Sequence, residues 1–174
     1  RSFYQVNSPQ AERLYRKAAE LAALREDDIL LDLYCGAGTI GLTMADRVER
    51  VIGVEVVPDA VEDAKRNAAA NGIGNTEFLC MDASQAACRL AADRLRPSVV
   101  LLDPPRKGCT TELINVVSRE MQPERIVYIS CNPETLARDL EFFKKHQYTA
   151  EKIQPVDMFP FTTHMETVCL LTRR

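Results

Sequence analysis

Leu31-Asp32-Leu33-Tyr34-Cys35-Gly36-Ala37-Gly38-Thr39-Ile40-Gly41 reads as an apolar strand, a glycine turn and the opening of a helix. Gly36, Gly38 and Gly41 satisfy G-x-G-x-x-G, and Glu55 closes the next apolar run 19 residues beyond Gly36. Such a turn lets backbone approach a ligand closely, and a carboxylate at the end of the second strand can accept from ribose hydroxyls. The glycine spacing suits NAD and S-adenosylmethionine alike.

Outward from this segment, apolar runs alternate with helical patterns. Strands are predicted at residues 29–34, 50–56, 76–81, 98–103, 125–130, 150–156 and 165–172. Val99-Val100-Leu101-Leu102 is the plainest of several continuous Val/Ile/Leu runs, which mark strands covered on both faces. Ser8 and Pro9 open a helix reaching about Leu24, residues 39–46 follow the glycine turn, and Pro58 begins a helix that stops at Asn71-Gly72. Residues 84–94 and 110–120 are further helices, and Asn132-Pro133 starts one that ends near His146. The alternation predicts an α/β fold, a Rossmann-like, doubly wound, mostly parallel sheet of seven strands with helices on both faces. A loop carrying Phe159, Pro160 and Phe161 interrupts the rhythm before the last strand.

The 174 residues make one domain, and 46% hydrophobic content is enough to fill its core. A net charge of −3 excludes a chain that grips nucleic acid by bulk positive charge, though not one with a local basic rim. Neither a membrane span nor a signal peptide is visible. The six cysteines (Cys35, Cys80, Cys88, Cys109, Cys131 and Cys169) have no metal-ligand spacing, so no metal is expected, and scattered thiols suit the reducing cytoplasm. A start at Arg1 is read as the beginning of a piece of a longer protein.

Two carboxylates favour S-adenosylmethionine over NAD. Asp32 lies in the first strand, where a negative charge suits the cationic methionine end of that ligand and ill suits a pyrophosphate; the alternative is a carboxylate capping nearby backbone N–H groups. Asp103-Pro104-Pro105 ends the fourth strand as a rigid acidic shelf, or else as an ordinary Asp-Pro turn. Asp82, after the third strand, is read as facing an adenine or as capping the next helix. The residues after the two prolines are Arg106-Lys107-Gly108, with no aromatic side chain to stack on an amine-bearing base, and Arg106 and Lys107 suit phosphate contacts or a solvated pair.

At the other end of the sheet, Ser130-Cys131-Asn132-Pro133 sets a thiol at a strand terminus against a helix start, where unpaired N–H groups should lower its pKa. The other five cysteines are read as buried and inert. Period two along the last strand puts His164, Glu166, Val168 and Leu170 on one face, leaving Glu166 as a partly desolvated carboxylate able to act as a base.

These elements together resemble the RNA uracil-C5 methyltransferases, over essentially the whole chain and in order. The resemblance rests on Asp-Leu-Tyr-Cys-Gly-Ala-Gly at 32–38, Asp-Pro-Pro-Arg-Lys-Gly at 103–108, Ser-Cys-Asn-Pro at 130–133, and Asp157-Met158-Phe159-Pro160 followed by His164-Met165-Glu166. Phe3-Tyr4-Gln5-Val6-Asn7 resembles the segment that opens the family's catalytic domain. The resemblance implies the S-adenosylmethionine-dependent methyltransferase fold and formation of 5-methyluridine in RNA, ribosomal ahead of transfer RNA, with S-adenosylhomocysteine as the spent cofactor. It also implies Cys131 as nucleophile, Glu166 as base, and cofactor contacts from Gln5, Tyr34, Gly36, Glu55, Asp82 and Asp103. Arg106, Lys107, Phe159 and Phe161 become candidate RNA contacts, the two phenylalanines stacking on a base turned out of its helix or loop. Phe161 stands where many relatives have His. Full-length members carry an N-terminal RNA-binding barrel and a further segment, sometimes with an iron–sulfur cluster. A monomer without membrane association is expected. The rival readings are an N-methyltransferase using the Asp-Pro-Pro shelf, a cofactor-binding fragment inactive without its RNA-binding part, and an NAD-linked oxidoreductase.

Overall fold

A computed structural model describes residues 8–157 and 165–174. Seven strands form one sheet: β1 (Ile29–Asp32), β2 (Arg50–Glu55), β3 (Thr76–Cys80), β4 (Val99–Leu102), β5 (Arg125–Ser130), β6 (Tyr148–Asp157) and β7 (Met165–Arg173). Their order is β3-β2-β1-β4-β5-β7-β6, with β1 to β5 parallel to their neighbours and β7 antiparallel to both β5 and β6. The expected architecture is therefore present, and the strand order reverses between β1 and β4, where open sheets of this kind bind ligands at the carboxyl edge.

Among the described residues α1 (Ser8–Ala22) precedes the sheet and five α-helices connect its strands: α2 (Thr39–Met44), α3 (Pro58–Ala70), α4 (Ala83–Ala92), α5 (Thr111–Asn115) and α6 (Pro133–Lys145). The helix expected over 110–120 begins one residue later, because Thr110 is its cap, its Oγ1 accepting from the Leu113 N–H at 3.1 Å. Beyond Asn115 it widens to a π-helix, Val116–Met121.

Alternate residues of each central strand pack on opposite faces. Leu31, Val100, Leu102, Ile126, Tyr128, Cys169 and Leu171 meet α4, α5 and α6. Leu30, Val99, Leu101, Val127, Ile129, Val168 and Leu170 meet α1 and α2. Burial on both faces explains the unbroken apolar runs. Arg125 anchors α1 beneath β5: it donates to the carbonyls of Ala22 and Ala23 and to Asp28 Oδ1, each at 2.6 Å. The C-terminus of α1 therefore lies at the amino edge of the sheet, and its N-terminal half at the carboxyl edge.

Candidate active site

The glycine turn divides its labour among its three glycines. Gly36 has φ +54°, and a Cβ there would meet nothing within 4 Å, so its backbone faces open space. Gly38, at φ +81°, would press a Cβ to 3.1 Å from Leu42 and 3.2 Å from Ala64, and Gly41 would bring one to 3.2 Å from Asp32 Oδ2. The last two are packing glycines; the first has open space beside it. Glu55 secures the turn, its Oε2 accepting from the Gly36 N–H at 3.1 Å and its Oε1 from Val57 N–H at 2.9 Å. Asp82 caps α4 through Oδ1, accepting from the N–H groups of Ser84 and Gln85. Tyr34 packs beside Cys109 and near Asp82 and is held protonated by burial and the Cys109 sulfur.

The face that packs on α1 gathers the reactive groups. Continuing the alternation of Leu30, of Val99 and Leu101, of Val127 and Ile129, and of Val168 and Leu170 places Asp32, Asp103, Cys131 and Glu166 on that one face. The β5–β7 register pairs Ser130 with Thr167, so one further step sets Cys131 abreast of Glu166. Their mutual influence is electrostatic as well. Asp103 is pushed up to about 8 by burial, then by Glu166 and Asp32. Asp32 is pushed up to about 7, chiefly by burial, and is 1% exposed. Its Oδ1 accepts weakly from the Tyr34 N–H at 3.4 Å, while Oδ2 is buried with no partner. The Tyr34 and Gly41 N–H groups both act to lower its pKa, against the larger effect of burial. Glu166 is half-buried and raised by desolvation, as the apolar strand face implied.

The thiol departs from expectation. Cys131 is partly exposed, but its pKa is raised, by burial and then by Glu166, with Arg106 acting in the opposite direction. Its own backbone N–H lowers it, but by less than burial and Glu166 raise it, and the next donors of α6 are taken by Asn132, whose Oδ1 accepts from Glu134 N–H at 3.0 Å and Thr135 N–H at 3.5 Å. Cys35, Cys109 and Cys169 are buried, as read, but Cys80 is exposed and Cys88 half-buried, since β3 is an edge strand and α4 covers little beyond the sheet centre.

Sequence reasoning missed the clamp that sets the 103–109 loop. Asp139, fully buried on α6, accepts from Cys109 N–H at 2.7 Å and from the Tyr128 hydroxyl at 2.6 Å. Arg138 pairs with Asp139 and donates to the Lys107 and Cys109 carbonyls, while the Arg106 carbonyl accepts from Asn132 Nδ2 and Thr135 Oγ1. The helix that follows Cys131 thus holds the loop that follows Asp103. The side chains of Arg106 and Lys107 are exposed. Tyr15 of α1, half-buried close to Asp103, was also missed; nothing in its local pattern separates it from core residues. Gln5, Phe159 and Phe161 lie outside the described residues.

A family model described as tRNA (Uracil-5-)-methyltransferase matches residues 1–174. The chain belongs to that family. An "Uncharacterized RNA methyltransferase" from Enterococcus faecalis is 51% identical over 173 residues, 99% of this chain and 38% of the relative. Another from Staphylococcus aureus is 51% identical over 169 residues, 97% of this chain and 37% of the relative. The chain thus spans under two-fifths of the length of these curated relatives. Among solved structures, a Pyrococcus abyssi tRNA (uracil-54, C5)-methyltransferase in complex with S-adenosyl-L-homocysteine is 37% identical with a TM-score of 0.81, over 98% of this chain and 40% of that one. A precorrin-8w decarboxylase from Methanobacterium thermoautotrophicum, 19% identical with a TM-score of 0.73, covers 93% of this chain and shares the fold.

Proposed function

We propose that the protein is an S-adenosylmethionine-dependent RNA methyltransferase that forms 5-methyluridine through a transient bond between Cys131 and C6 of uracil. The carrying observation is the register that sets Cys131 abreast of Glu166, with Asp103 close enough to act on Cys131 and to be acted on by Glu166. C5 of uracil is too weak a nucleophile to be alkylated unaided. Cys131 first gives up its proton to solvent; addition of the thiolate at C6 then forms the S–C6 bond and moves the ring's π electrons toward C5 and the C4 oxygen, making C5 nucleophilic. Once methylated, C5 still holds its proton. Glu166 removes it, the C5–C6 double bond returns, and Cys131 leaves as thiolate. A carboxylate raised by desolvation is suited to that task, and Arg106 steadies the departing sulfur anion.

The residues present suit the cofactor. The partnerless buried Asp32 Oδ2 and the Asp103 carboxyl form an acidic pair that a cationic methionine moiety would satisfy, and Gly36, Glu55, Tyr34 and Asp82 line the nucleoside end, with Gln5 added by family resemblance. S-adenosylmethionine, when bound, supplies an electrophilic methyl group. No described residue separates ribosomal from transfer RNA, so the test offers both. The reading includes a cytoplasmic, monomeric protein, in keeping with six free cysteines; among the described residues no helix is long and apolar enough to cross a membrane.

Incubation with 5-fluorouridine-substituted ribosomal or transfer RNA and S-adenosylmethionine should trap a protein–RNA species that survives denaturing gels and maps to the Cys131 peptide. Fluorine at C5 leaves no proton for Glu166. Cys131→Ala should abolish the band yet keep S-adenosylhomocysteine binding. Trapping at another residue, or full methylation by Cys131→Ala, would overturn the mechanism.

A further inference from the structure

We propose that the cleft between α1 and β6 carries the RNA backbone away from the reacting uridine, with Arg13 and Arg16 as its phosphate contacts. This rests on the RNA reading above and adds a path for the strand.

The cleft holds about 500 Å³ and is walled by α1 on one side and residues 154–157 of β6 on the other. Gln10, Arg13, Lys17 and Glu20 recur at i, i+3, i+7 and i+10, so they form one ridge of α1, running about 15 Å at 1.5 Å per residue. The cleft opens where the chemistry is. Val156 of its floor is the register partner of Glu166, and the two share the sheet face that carries Asp103 and Cys131. A strand leaving a uridine on Cys131 and Glu166 has this cleft beside it.

Charge points to phosphate. The whole chain carries −3, yet three of the cleft's side chains are cationic. Lys17 is paired to Glu20 at 2.7 Å, at the end far from the active edge. Among the described residues no carboxylate forms an ion pair with the exposed Arg13 or Arg16, though Arg16 adds to the field that lowers Glu20, and both guanidinium groups suit an incoming phosphate. Among the described residues, Pro155 and Val156 supply the apolar side chains of the lining, and the rest are polar or charged. β6 is also the edge of the sheet, and exposed edge backbone can serve sugar and phosphate oxygens.

The test compares the full-length protein with Arg13→Gln/Arg16→Gln, and with Arg47→Gln/Arg50→Gln at the amino end of β2, remote from the cleft, as the charge-matched control. The RNA is the uridine counterpart of the species trapped on Cys131, titrated by fluorescence anisotropy across salt concentrations without S-adenosylmethionine, so that binding stays reversible. Losing two phosphate contacts should flatten the slope of log affinity against log salt by about 1.4–1.8, at ~0.7–0.9 per phosphate. It should raise KM for RNA about tenfold or more at low salt, while kcat at saturating RNA, S-adenosylhomocysteine affinity and Tm stay unchanged. A slope and KM equal to those of the control pair would overturn the cleft assignment, as would a parallel loss of cofactor binding or of folding. Occupation of the cleft by another part of the protein would show as the former result. Failure of the unaltered protein to form any Cys131 adduct would instead strike the function reading itself.

Discussion

Gly108→Ala probes the clamp that joins the two halves of the site. Gly108 has φ +75°, and a Cβ there would lie 2.6 Å from Asp139 Oδ2 and 2.7 Å from the Arg138 guanidinium. The left-handed backbone costs alanine about 1–2 kcal/mol. The contact falls on a rigid partner, since Asp139 Oδ2 is buried and already holds Cys109 N–H at 2.7 Å and the Tyr128 hydroxyl at 2.6 Å. Relieving it by shifting backbone adds about 1–3 kcal/mol. The sum centres on about 3.5 kcal/mol, or a fall in Tm of roughly 7–14 °C at ~2–4 °C per kcal/mol for a domain of this size. Gly72→Ala is the matched comparison: its φ is +66° with nothing within 4 Å of the added Cβ, so only the backbone cost applies. That variant should lose about 1–2 kcal/mol, a third to a half as much. Thermal melts of both, with urea titration to check that the m-value is unchanged, separate conformational strain from collision. The Cys131 adduct rate should also fall in Gly108→Ala and not in Gly72→Ala, because the loop that follows Asp103 moves. Equal losses for the two variants would refute the idea that Asp139 clamps this loop rigidly.

Two predictions concern pH. Asp32 and Asp103 have folded pKa values raised to about 7 and about 8, so the folded state binds more protons than the unfolded one between the ordinary carboxylate range and pH 8. Ligand-free protein should therefore become less stable as pH rises from about 5 to about 8. Asp32→Asn and Asp103→Asn should flatten that trend in a Tm series, and a Tm that climbs over the window would contradict the buried acidic pair. Because burial and Glu166 raise Cys131, its alkylation by iodoacetamide, followed by peptide mass, should rise close to tenfold per pH unit between pH 6.5 and 8.5; a rate independent of pH there would mean a thiol already ionised.

The strands, their faces and the helix starts were all legible in the chain. Continuous apolar runs announced a sheet covered on both sides, and Asn132-Pro133 and Asn71-Gly72 marked helix ends that the structure places within a residue or two. These are local properties, set by hydrophobic period and backbone preference among neighbours in sequence. Alternation also put Glu166 on a face with Val168 and Leu170, which the structure bears out. What Cys131 faces was not legible. Its pKa direction was misjudged because burial outweighs its own N–H, because the next donors of α6 are taken by Asn132, and because a residue 35 positions later on an antiparallel strand brings its charge alongside. The same holds for Asp139, an unremarkable helix residue in sequence that becomes the anchor of a loop 30 residues earlier, and for the cleft between the first helix and the sixth strand. Sequence alone determined which segments become strands and helices and which residue types carry chemistry. Tertiary structure decided which of them meet, because burial, electric field and distance depend on strand order and register, and those are settled only when the whole sheet closes its core.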